Sequence, residues 1–187
     1  MKDKRIIFTV TNDLSYDQRM NRICSALADN SWAVTLVGRK QKNSLPLFPK
    51  SFRQKRLRCF FTKGKLFYAE YNIRLFLWLL FHKAPFICAI DLDTILPCLY
   101  ASKIHASSRI YDAHEFFTEM KEVKNNSFSH SIWTAIEKFS VPRFKNGYTV
   151  CDSIAKELEQ RYGVAYQTIR NIAVSRTAGE RTRPEAY

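Results

Sequence analysis

Ile110-Tyr111-Asp112-Ala113-His114-Glu115-Phe116-Phe117 reads as a short apolar strand that stops in a cluster of Asp, His and Glu. In an open α/β sheet, ligands collect beyond the carboxyl ends of the strands, so chemistry is expected where such a run ends. Downstream, Gly147 to Gly163 repeats the theme. Tyr148 to Cys151 reads as a strand, Asp152 as the cap of a helix running to Tyr162, and Gly163 as the glycine just past the helix end.

Upstream, Phe86 to Ile90 is a fully apolar strand ending at Asp91, and Arg109 to Asp112 is the strand that follows it. Between them Thr94 to Ile104 reads as a helix, with Pro97 tolerated in its first turn. Lys4 to Val10 is a β-rich run followed by a polar turn from Thr11 to Tyr16. Ser15 and Gln18 form a capping-box pattern, and Met20, Ile23, Cys24 and Leu27 repeat at helical spacing, with Asn30 as the stop. Trp32 to Val37 completes a strand, helix, strand unit of the kind that demands parallel pairing. Arg56 to Phe61 reads as a third strand. Leu66 to Phe81 reads as a helix apolar almost all round, broken by Pro85, and Phe128 to Phe139 as an amphipathic helix. Tyr166 to Arg170 is a last short strand. This alternation predicts an α/β fold, a doubly wound, mainly parallel Rossmann-like sheet with helices on both faces. Residues 1–172 form the domain, and residues 173–187 a linker or unpacked tail.

The chain has 187 residues, enough for one domain with a substantial core but not for two. With 46% hydrophobic and 14% aromatic residues it is globular. The run Ile6 to Val10 is too short for a signal peptide, and Leu75 to Phe81 too short to span a bilayer. A cytoplasmic protein is expected. Five scattered cysteines (Cys24, Cys59, Cys88, Cys98 and Cys151) show no C-x-x-C pair or zinc spacing, which predicts reduced structural thiols and no metal site.

The net charge is +13. Arg39, Lys40, Lys42, Lys50, Arg53, Lys55, Arg56, Arg58, Lys63 and Lys65 follow one another without an acidic residue, interleaved with Phe48, Phe52, Phe60 and Phe61. Three readings stay open for this segment: a solvated basic loop, contact with an anionic membrane surface or lipid phosphate through Lys50, Arg53, Lys55, Arg56, Arg58, Lys63 and Lys65, and nucleic acid binding. The last lacks any supporting motif.

The order of elements, the His just beyond the fifth strand (Asp112, Ala113, His114, Glu115), the unit from Tyr148 to Gly163 and the closing Ile169-Arg170-Asn171-Ile172 together resemble the N-terminal half of group 1 (family 4) glycosyltransferases of the GT-B fold. The resemblance runs from about Arg5 to Ile172. It implies the acceptor-binding half of a nucleotide-sugar-dependent enzyme in polysaccharide or glycoconjugate biosynthesis, peripheral at the inner face of the membrane. The nucleotide sugar is then a co-substrate rather than a cofactor of this domain, the acceptor a glycosyl acceptor or a lipid-phosphate-linked one, and a donor-binding domain is required in cis or in trans. By the same resemblance Asn171 leads into the interdomain linker, and the chain is a truncated product, an isolated domain or a degenerate gene. Where the family often carries paired glycines after its first strand, this chain has Asn12-Asp13-Leu14-Ser15, whose side chains occupy that space.

His114 is the catalytic candidate: by resemblance it reaches the transferred sugar or acceptor, with Asp112 or Glu115 setting its tautomer, and a His can orient a hydroxyl through a hydrogen bond. Asn12, Asp13, Asp17 and Arg19 surround the start of the first helix. Asp17 suits the helix dipole, and Arg19 could grip an acceptor phosphate. Asp91-Leu92-Asp93 could hold a divalent cation, but neither the metal-dependent GT-A pattern nor the phosphatase DxDx(T/V) pattern fits, since Ile95 stands where Thr or Val belongs. The reading preferred here has Asp91 lining the cleft and Asp93 or Thr94 capping the next helix. A stand-alone docking module and a small doubly wound phosphatase are the alternatives to a transferase half.

Overall fold

The computed structural model describes residues 3–171, so Ile172 and the expected tail lie outside the described residues. Its strands are β1 (Arg5–Asp13), β2 (Ala33–Lys40), β3 (Arg53–Arg58), β4 (Phe86–Ile90), β5 (Ser108–Ala113), β6 (Asn146–Thr149) and β7 (Gln167–Thr168). They form one sheet in the order β3-β2-β1-β4-β5-β6-β7, and every adjacent pair is parallel. The helices are α1 (Gln18–Asp29), α2 (Gly64–Leu80), α3 (Ile95–His105), the single turn α4 (Lys121–Lys124), α5 (Ser127–Ser140) and α6 (Asp152–Tyr162).

The expected doubly wound α/β sheet is therefore present, and parallel throughout the described strands. Period-two alternation sorts its side chains into two cores. Ile6, Phe8, Val10, Cys88 and Ile90 face α1, which buries Met20 and Cys24 against them. Ile7, Ala89, Ile87 and Tyr111 face the other way, toward Phe67, Tyr71, Leu75 and Leu79 of α2 and Cys98 and Leu99 of α3. Central strands buried on both faces read as continuous apolar runs, which is why β4 is legible at a glance. From β1 the chain winds outward to β2 and β3. From β4 it winds the opposite way, so the winding reverses between β1 and β4. A crevice beyond the carboxyl ends of those two strands is where such sheets take ligands.

Several local expectations are corrected. Strand β1 continues through Thr11 and Asn12 to Asp13, pairing Asp13 with Arg39 after an irregularity in register. The cap of α1 is Asp17, whose side chain accepts from the Met20 N–H at 2.9 Å, and not Ser15, whose hydroxyl meets Arg56. Strand β3 lies three residues earlier than expected, because pairing with β2 in the register Thr35 to Arg53 through Lys40 to Arg58 sets its bounds. Cys151, not Asp152, stands at the N-cap of α6. Gly163 does end that helix, at φ 64° in the left-handed region that favours glycine.

Candidate functional site

Asp91, Asp112 and His114 meet at the carboxyl ends of β4 and β5, where Ile90 pairs with Asp112. The Asp112 carboxylate is fully buried. One oxygen accepts from the Arg19 guanidinium at 3.0 Å, and the other lies 3.2 Å from His114 Nε2. With Asp112 ionised, Nε2 carries the proton and donates. His114 Nδ1 lies 3.6 Å from Asp91 Oδ2, beyond hydrogen-bond range, so it remains available to a ligand hydroxyl. Asp112, not Glu115, thus orients the imidazole. Glu115 is exposed and acts on the site only through its charge.

Asp91 has φ 57° and ψ 174°, a region that costs a non-glycine residue about 1–3 kcal/mol. Two bonds hold it there: its N–H donates to the Asp112 carbonyl at 2.9 Å, and its Oδ1 accepts from the His114 N–H at 2.9 Å. The strained residue clamps the end of β4 to the end of β5 and turns a carboxyl toward the imidazole. Burial, then the negative charges of Asp93, Asp112 and Glu115, raise the Asp91 carboxyl well above the usual carboxylate range. Burial pushes Asp112 up to about 6, against the opposing pull of the Arg19 charge and the Tyr148 hydroxyl. Carboxyls that keep protons this readily can donate as well as accept.

Arg19 sits in the first turns of α1 with its side chain 10% exposed. Its NH2 is held by Asp112 and its NH1 is buried without a partner. A buried guanidinium donor left unmatched is costly, and a ligand oxygen would satisfy it. Tyr148, whose ring centroid lies 6.0 Å from the guanidinium, was missed in the sequence. Its signal is register, because Tyr148 pairs with Asp112 across β5 and β6, and neighbours in a parallel pair share a face.

Other sequence candidates fall elsewhere. Asp13 is buried and bound to Arg56 at 2.8 Å, the Ser44 hydroxyl and the Ser15 N–H, so it braces the β1 end instead of facing a ligand. Arg56, expected at an anionic surface, is correspondingly interior, with a side chain 7% exposed. Its partners explain this: Arg53, Lys55 and Arg58 are exposed, whereas the Arg56 guanidinium is drawn in by Asp13, the Ser15 hydroxyl and the Leu45 carbonyl. Lys50, Lys63 and Lys65 are exposed as well. Asn12 is exposed and donates to Asp17 at 3.4 Å, while Asp17 caps α1. Asp91 and Asp93 are committed to different partners, Asp91 accepting from the His114 N–H. Asp93 is buried, accepts from the Thr11 hydroxyl at 2.5 Å and is pushed up to about 6 by burial against that bond. Neither Asp93 nor Thr94 caps α3 through its side chain; Thr94 donates instead to the Thr9 and Ile90 carbonyls. Among the described residues no three His, Cys, Asp or Glu side chains are grouped to hold a metal ion, and no helix is long and apolar enough to cross a membrane.

Fold and site define a doubly wound α/β domain with an Arg-Asp-His-Asp constellation where its winding reverses. No family model and no curated protein matches the sequence. Among solved structures the chain is similar to sucrose-phosphate synthase from Thermosynechococcus elongatus. One such structure superposes with a TM-score of 0.62 at 13% identity over 89% of this chain, which spans 47% of the length of that one. A shorter chain of the same enzyme gives a TM-score of 0.61 at 14% identity, with 89% of this chain covering 87% of it. At such identity the likeness establishes the fold alone, a doubly wound Rossmann-like α/β domain.

Proposed function

We propose that this chain is the acceptor-binding half of a nucleotide-sugar-dependent glycosyltransferase acting in polysaccharide or glycoconjugate assembly. The observation that carries the reading is the His114 constellation at the point where the sheet's winding reverses. His114 Nδ1 accepts a hydrogen bond from the acceptor hydroxyl, while Asp112 fixes the ring and Arg19 fixes Asp112. The orphan Arg19 NH1 and the Asp91 carboxyl supply the donors that a polyol needs. In the transfer, the bond from the sugar's anomeric carbon to the nucleotide diphosphate breaks and one to the acceptor oxygen forms, the hydroxyl proton passing to His114 Nδ1. The leaving diphosphate is stabilised by the donor-binding domain, supplied in cis or in trans. The exposed Phe60, Phe61, Lys63 and Lys65 favour work against an anionic membrane surface and a lipid-phosphate-linked acceptor.

Saturation-transfer difference NMR with a panel of mono- and disaccharide glycosides tests this. A glycoside should bind the wild-type chain and the Gln160→Ala variant on the exposed face of α6, and should lose its signal with His114→Ala and Arg19→Met. Sugar binding that survives both site substitutions, or no binding by any glycoside, would exclude the reading.

A further inference from the structure

A cavity opens at the carboxyl ends of β2 and β3, at the same end of the sheet as the site above. It holds about 310 Å³ and is lined by Arg39, Lys40, Lys42 and Arg58, with Phe60 and Phe61 among the remaining wall residues. None of its lining side chains is acidic. The Cys59 thiol in the wall is pushed up, first by burial and then by the Glu70 charge, so it adds no anion near neutrality. Glu70 on α2 is committed elsewhere: its oxygens accept the Phe60 and Phe61 N–H groups at 2.9 Å, and Oε1 accepts from Arg74 at 2.7 Å. That clamp also fixes the backbone of the aromatic wall.

Arg39 is the most constrained of the cations. Its NH1 donates to the Thr62 carbonyl at 3.1 Å, its guanidinium carbon stands 4.3 Å from the Phe67 ring centroid, and its Nε is buried without a partner. Burying a guanidinium edge with no counter-ion is unfavourable. Four cations around an acid-free hollow raise the local anion concentration, and Arg paired with Lys suits the several oxygens of a phosphate better than a lone carboxylate. The volume lies at the lower end of ligand pockets, about 300–1,000 Å³, enough for one phosphorylated unit rather than a nucleic acid strand. Phe60 and Phe61, both exposed, flank the opening with apolar surface for whatever carries the phosphate.

We propose that this cavity binds a phosphate group, carried either by a small phosphorylated ligand or by the headgroup of a lipid. The assignment deepens the lipid-phosphate reading above, with which it shares Phe60 and Phe61, and does not rest on sugar transfer at His114, because phosphate binding here requires none of the Arg19 constellation.

Isothermal titration with inorganic pyrophosphate is the first arm, and co-sedimentation with phosphatidylglycerol and phosphatidylcholine vesicles the second. Pyrophosphate should bind saturably, and Arg39→Gln and Arg58→Gln should each weaken it about tenfold, the scale of one charge-assisted hydrogen bond. Lys83→Gln, which removes the same charge just before β4, should leave it unchanged. Arg58 is exposed, so its variant keeps the test valid if Arg39→Gln folds poorly. Binding to phosphatidylglycerol vesicles that pyrophosphate displaces and Arg58→Gln abolishes identifies a lipid source; pyrophosphate binding without vesicle binding identifies a soluble one. No saturable pyrophosphate binding, or binding that Arg39→Gln, Arg58→Gln and Lys83→Gln weaken alike, overturns the assignment.

Discussion

Replacing Arg19 with Met removes the counter-ion of a fully buried carboxylate and should therefore make stability depend on pH in a calculable way. In the wild type Asp112 titrates at about 6 in the folded chain, with burial raising it and the Arg19 charge opposing. Its unfolded value is lower, near 3.8. Because the folded value is the higher one, the favourable contribution of protonated Asp112 is complete below about pH 4 and is lost as pH rises through about 6. In Arg19→Met the folded value climbs further, so Asp112 stays protonated at pH 7.5 where the wild type is ionised and paired. Holding that proton across the roughly 1.5 pH units from 6 to 7.5 costs about 2 kcal/mol, at about 1.4 kcal/mol per unit. The cost vanishes near pH 5, where both proteins carry the proton, while lost packing of the Arg19 stem is the same at both pH values and cancels in the comparison. Urea unfolding followed by tryptophan fluorescence at pH 5.0 and 7.5 measures both differences. The destabilisation by Arg19→Met should be about 2 kcal/mol larger at pH 7.5. If it is the same at the two pH values within about 0.5 kcal/mol, the Arg19 and Asp112 charges are not coupled and the account of the site is wrong.

Asp93 also titrates at about 6 in the fold, so wild-type stability should rise on acidification from pH 7 toward 4.5, with Asp93 contributing about 1 kcal/mol per pH unit around pH 5. The same urea series on Asp93→Asn should show that slope reduced by this amount; an unchanged slope contradicts the burial assignment. Arg56→Met strips the partner from buried Asp13 and should destabilise by about 3 kcal/mol at pH 7.5. Burial opposes ionisation of Asp13, but the Ser44 hydroxyl, the Ser15 N–H and the Arg56 charge outweigh it and lower its titration. Wild-type stability from this pair is therefore present above the unfolded carboxylate value and fades as pH falls through the lower folded one. Thermal melts of the two proteins should converge in strong acid, whereas a mild, pH-independent loss would make Arg56 a surface cation after all.

Much of the architecture is local information. Apolar runs of strand length at Lys4 to Val10 and Phe86 to Ile90, helical spacing at Met20 to Leu27 and the glycine at 163 need no partner to be recognised. They suffice for an alternating α/β chain and hence for a parallel sheet. The positions of Asp91, Asp112 and His114 at strand ends were legible for the same reason, since a strand's end is marked in one dimension. Pairing was not. Arg19 and Asp112 are 93 residues apart in sequence and meet only because β4 inserts beside β1. Tyr148 reaches Asp112 only through the β5 and β6 register.

The basic segment shows the limit most clearly. A run of cations reads as one segment with one role, yet the fold divides it three ways. Arg56 turns inward to Asp13, Arg39 is pinned over Phe67 in the wall of a cavity, and Arg53 and Lys55 remain in water. Sequence alone determined which residues are charged and that strands alternate with helices. The tertiary structure decided which charges are buried, because burial depends on the face that strand alternation and register present to neighbours distant in the chain.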